Sequence, residues 1–129
     1  MIQEPEKAPA ATPGESAPVT RSDGPSDEVM VVYATCPEAQ ARTLATVLVD
    51  AHLAACINIV PGIESVFRWQ GRTQHDRETL LLIKTTRARY AELEQAIRER
   101  HPYELPEVLA VPVQAGLPAY LDWLKAATT

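Results

Sequence analysis

No apolar run in this chain approaches the ~20 residues that cross a bilayer as a helix, so a membrane-spanning helix is excluded. Basic charge is short as well: 12 Lys and Arg stand against 17 Asp and Glu, a net charge of −5. A nucleic-acid binder usually carries a basic face that neutralises phosphates. Adhesion to an anionic membrane needs the same sign of charge. Neither partner is expected. Cysteine is scarce: Cys36 and Cys56 are the only two, and they form no CxxC pair. The opening MIQEPEKAPAATPGESAP has neither the positive charge nor the apolar stretch of a secretory signal. The expected compartment is the cytoplasm, with reduced thiols. Catalytic signatures are missing too. There is no P-loop, GxGxxG, GxSxG or HExxH. Ser65 is the only serine beyond residue 28. No nucleophile stands out, and the chain is read as a non-enzyme.

What is present fits one folded domain behind a polar extension. Residues 1–28 are rich in Pro, Ala, Ser and acidic groups and nearly empty of large apolar side chains. Such a segment cannot bury enough surface to offset its ordering entropy, so a disordered tail is expected there and a domain over 29–129. Residues 29–35 form a continuous apolar run rich in β-branched residues, the pattern of a buried strand. Pro37 and Glu38 suit a helix start. Ala41, Leu44, Ala45 and Leu48 then recur at helical spacing, predicting a helix over 38–53. A strand over 56–60 is interrupted by Pro61-Gly62, the mark of a bulge or bend, and resumes over 63–69. Gln70-Gly71-Arg72 reads as a turn, and 79–86 as the returning arm of a long hairpin. Tyr90, Leu93, Ala96 and Ile97 mark one face of a second helix, which Pro102 stops. Residues 108–113 read as a strand whose end Pro112 confines to an edge. Tyr120, Leu121 and Leu124 mark a terminal helix over 118–127. The order β-α-β-β-α-β plus a helix is that of an α+β, ferredoxin-like fold.

Chemistry-bearing groups gather in His101-Pro102-Tyr103-Glu104-Leu105-Pro106-Glu107. An imidazole ligates copper, nickel or zinc, and carboxylates complete such a shell. A histidine at a helix C-terminus also caps carbonyls. The sequence leaves both roles open for His101. Cys36, just before a helix, is either a thiolate favoured by the helix dipole or a small apolar residue. Cys56 reads as inert core. Lys84 ends an apolar strand, where Arg68 and Trp69 of the other hairpin arm would place a cation over a ring or face an anion. It also reads as an edge lysine that deters aggregation.

Three stretches together resemble the CutA family of divalent-cation tolerance proteins. They are Ala54-Ala55-Cys56-Ile57-Asn58-Ile59-Val60-Pro61-Gly62, then Trp69-Gln70-Gly71-Arg72, then His101-Pro102-Tyr103-Glu104 with Pro106-Glu107. The ending Tyr120-Leu121-Asp122-Trp123-Leu124 also fits. The resemblance spans about residues 29–126. It implies a ferredoxin-like subunit in a PII-like homotrimer, associated with tolerance of copper and other divalent cations, and no catalytic reaction. The copper-site pattern it implies is altered in this chain. Arg100 stands where the first of two histidines is expected, and Ala34 where a strand cysteine is expected. Cys36 follows two residues later, on the same side of an extended strand. His101 and Cys36 are the implied metal candidates. The PII-like alternative is a regulatory or scaffolding trimer. There Arg68, Trp69, Lys84, Tyr103, Glu104 and Glu107 would line an inter-subunit cleft for a small anion or a protein partner.

Overall fold

The computed structural model describes residues 24–129. Seven elements follow in order: β1 (Val29–Cys36), α1 (Glu38–Asp50), β2 (Cys56–Trp69), β3 (Arg72–Thr86), α2 (Arg87–Arg100), β4 (Val108–Pro112) and α3 (Pro118–Ala127). The strands form one sheet in the order β2-β3-β1-β4, each neighbour pair antiparallel. This is the expected ferredoxin-like arrangement. β4, with Pro112, lies at an edge, where a missing backbone donor is tolerated.

One face of the sheet is closed by helices. Val32, Ala34 and Cys36 of β1 and Leu81 and Ile83 of β3 pack with Leu44 and Leu48 of α1 and Leu93 and Ile97 of α2. Each fully buried Leu or Ile side chain contributes about 1.5–3 kcal/mol from apolar burial. Alternation sends the other residues of the same strands to the opposite face. There Tyr33 pairs with Leu109 and Val31 with Val111, and Tyr33, Leu109 and Val111 are exposed.

The hairpin behaves as its turn residues demand, but its return arm is longer than predicted. Gln70 and Gly71 both have positive φ, so two residues reverse the chain and set Trp69 opposite Arg72. β3 therefore begins at Arg72, not at Thr79. Residues 72–78 are mostly polar and show no apolar alternation, so their strand character comes from pairing with β2. The register slips between Val60 and Ile63, which is the bulge expected at Pro61-Gly62, with Gly62 at φ 72°.

α1 is shorter than predicted and ends at Asp50. His52 takes a left-handed conformation at φ 61°. The N–H of His52 then donates to Val49 O and that of Leu53 to Leu48 O, the Schellman pattern that satisfies terminal carbonyls.

The tail expected over 1–28 falls on residues 1–23, which lie outside the described residues, and on 24–28, where the structure differs. Residues 24–28 strap the start of α2. That helix has no side-chain cap. Instead Glu28 O accepts the Arg87 N–H at 2.9 Å and Ser26 O accepts the Ala88 N–H at 2.8 Å. The strap thus pairs donors that a helix start leaves unmet. The Arg87 guanidinium also grips the Glu28 carboxylate.

Candidate functional site

β1 ends at Cys36 opposite Thr79, so the stretch of β3 beyond Thr79 has no β1 partner. Residues 101–107 cross at that end of the sheet. α2 delivers His101 there as its C-cap, whose N–H donates to Ile97 O. The His101 ring is buried and bonded on both sides. Nε2 lies 2.6 Å from Thr35 O, and Nδ1 lies 3.1 Å from the Tyr103 N. Because the backbone N–H must donate, Nδ1 accepts, and Nε2 carries the proton given to Thr35 O. A cation at either nitrogen must first displace a hydrogen bond.

The Tyr103 ring packs against His101 at a centroid distance of 4.5 Å, tilted by 60°. Its hydroxyl donates to Glu78 Oε1 at 3.4 Å. Burial, with Glu78, Asp76 and Cys36 nearby, holds the phenol well above its ordinary range. Cys36 is sealed in the core. Burial, and secondarily Glu78, pushes its thiol up to about 11. This is opposite to the shift expected for a cysteine before a helix, because desolvation outweighs the helix dipole.

Of the other predicted residues, Glu104 joins Tyr103 at a groove of ≈ 370 Å³ with Gln95, Arg98, Glu99 and Pro106. Glu107 sits half-buried just before β4. Lys84 does not meet Arg68 and Trp69 within one chain. Trp69 pairs with Arg72, and Lys84 lies twelve residues further along β3, about 40 Å at ~3.3 Å per residue. Lys84 instead pairs with Cys56, with Nζ 3.7 Å from Sγ, and bonds Asn58 Oδ1. Tyr120 from α3 lies beside Cys56, and burial and that thiol push its phenol up. Cys56 is therefore half-buried in a polar setting, not inert core.

Sequence reasoning missed Thr35, Asp76 and Glu78, all of them buried. Asp76 and Glu78 are two apart on a strand, so they share a face. That spacing is readable once residues 72–78 are known to be strand. Among the described residues, no group of three or more His, Cys, Asp or Glu is placed to hold a metal ion. The closed chain's residues therefore do not fit a preformed metal centre at His101 and Cys36.

Residues 30–127 match the family model described as CutA1 divalent ion tolerance protein. The chain belongs to the CutA family. Its relative in Thermus thermophilus, divalent-cation tolerance protein CutA, is 48% identical over 99 residues, covering 76% of this chain and 96% of that protein. A chloroplastic protein CutA of Arabidopsis thaliana is 47% identical over 100 residues. That match covers 77% of this chain and 55% of the longer plant protein. Among solved structures, a PII-like protein CutA from Nostoc sp. PCC 7120 superposes with a TM-score of 0.74. It is 32% identical, and the match covers 78% of this chain and 97% of that one. The family model and the Thermus relative are named for divalent-ion tolerance, not for a reaction. No helix among the described residues is long and apolar enough to cross a membrane.

Proposed function

We propose that this CutA chain works as a homotrimer in the response to divalent cations, as a binding protein and not an enzyme. The observation that carries assembly is the uncovered sheet face. Tyr33, Val60, Leu109 and Val111 are exposed there. A lone soluble chain rarely leaves a large contiguous apolar surface in water, and self-association covers it in a closed symmetric oligomer. Leu117, Tyr120 and Trp123 of α3 extend the exposed apolar surface. The test is the solution mass of the full chain. A trimer mass that collapses to monomer in Leu109→Glu supports the reading, and a monomeric wild type refutes it.

In this reading copper or another divalent cation is the bound ion, with His101 and Cys36 as its ligands. The closed geometry makes that binding conditional. The ring must give up Thr35 O or the Tyr103 N–H, and the thiol must lose a proton it holds to about pH 11. Both demands weaken binding relative to a preformed site. Copper(II) titration of wild type beside His101→Ala and Cys36→Ala tests it. Loss of saturable binding in both variants supports these ligands, and unchanged binding removes them. In this reading the compartment is the cytoplasm, where thiols stay reduced.

One observation favours the PII-like regulatory reading as a second. Arg68 and Trp69 sit at the tip of a ribbon that outruns the sheet, far from Lys84 of the same chain. A neighbouring subunit's tip would bring a guanidinium and an indole to Lys84, forming a cleft for a small anion or a protein partner. Binding of a small phosphate-bearing anion that disappears in Arg68→Ala would favour this reading over the metal one.

A further inference from the structure

We infer that residues 101–107 form a lid over a binding site for a small organic ammonium ion, built on Glu78 and Thr35. Glu78 is 97% buried by its 3% exposure, and Thr35 is 2% exposed. Yet among the described residues Glu78 Oε2 and Thr35 Oγ1 meet no hydrogen-bond partner. A buried polar atom left unpaired is destabilising and calls for an explanation. The two atoms belong to one place. Thr35 stands opposite Leu80, and Glu78 lies two residues along β3. Alternation makes Thr35 and Glu78 diagonal neighbours on the same face. Thr79 Oγ1 is also unpaired, but it pairs with Cys36 on the other face and is no part of this site.

The same short segment closes over both groups. His101 donates to the Thr35 carbonyl, and Tyr103 donates to the second oxygen of Glu78. Lifting residues 101–107 breaks these two contacts and opens Glu78 and Thr35 together. An ionised carboxylate only accepts hydrogen bonds, so the occupant must be a donor. A positive occupant also offsets the buried negative charge of Glu78. A primary ammonium supplies three donors: one meets Glu78 Oε2, a second meets Thr35 Oγ1, and the third remains for water or the lid. A resident metal ion fits less well, since no triad of ligating side chains exists among the described residues.

The test uses the full chain with methylammonium and 1,4-diaminobutane as probes, followed by calorimetry and by amide exchange of residues 101–107. Magnesium, copper(II) and potassium chlorides are run alone. Saturable amine binding with altered exchange in residues 101–107 is expected. Glu78→Gln should weaken it about tenfold or more, the worth of a hydrogen bond to a charged group. Thr35→Val, nearly the same shape, should weaken it about threefold. It should also leave the ligand-free protein as stable or more so, because it removes an unpaired buried hydroxyl. No saturable amine binding, equal binding in both variants, or binding of a divalent cation in place of the amines each overturns the proposal. Solution mass, read on the same samples, keeps this outcome separate from that of the trimer.

Discussion

The two faces of the sheet are built from alternate residues of the same strands, yet they answer to different constraints. On the helix side, Val32, Ala34, Leu81 and Ile83 are fully buried against α1 and α2. On the other side, Tyr33, Leu109 and Val111 stay exposed, with similar apolar chemistry. The difference lies in what covers each face. One is completed by the chain itself, and the other is left open by it. The chain's own stability therefore resides on one face, and the proposed trimer would draw on the other.

Substitutions can break that division. Leu48→Ala should cost the most, about 2–5 kcal/mol, because it empties a fully enclosed site between α1 and the sheet. Denaturant unfolding measures it. A smaller effect on the same face is a pH step. The folded state holds the Cys36 proton up to about pH 11, while an exposed thiol releases it near 9. The Cys36 contribution is thus constant below about pH 9 and falls as pH rises from 9 to 11, by about 2 kcal/mol. Cys36→Ala should flatten that decline in unfolding curves taken across the alkaline range. On the open face, Val111→Lys should change the stability of the single chain by under about 0.5 kcal/mol, as surface changes usually do. The proposed oligomer should nonetheless dissociate in sedimentation. A large loss of chain stability there would blur the two-face distinction. A further small effect lies off both faces. His52→Gly relieves a left-handed residue at the end of α1 and should raise Tm slightly, by about 0.5 kcal/mol of stability.

The sheet's architecture was legible because its punctuation is chemical. Pro61-Gly62 announced the bulge, Pro112 the edge strand and Pro102 the end of α2, each through a backbone restriction any reader of sequence can apply. Residues 72–78 were not legible as strand. Their side chains are polar, and only the tight turn at Gln70-Gly71 forces them to pair. The site was half legible. His101 and Tyr103 stood out by type, but their partners Thr35 and Glu78 are distant in sequence and were hidden in strands. Burial, which decides whether His101 and Cys36 are available, is a tertiary property. So the helix-dipole argument for Cys36 lost to desolvation. The strap over 24–28 was missed because its contribution lies in backbone carbonyls, which carry no residue signature.

The bulge at Pro61-Gly62 also acts as a parity device. Val60 stands opposite Leu80 and Ile63 opposite Glu78, so three steps along β2 match two along β3. Beyond it, Ile63, Ser65, Phe67 and Trp69 share the face that carries Asp76 and Glu78. Removing one residue there would exchange the odd and even sets of the whole outer arm. Phe67 and Trp69 would turn to the side now held by Val66 and Arg68. A single inserted position, with no side-chain chemistry of its own, thus decides which aromatic groups the ribbon presents and on which side.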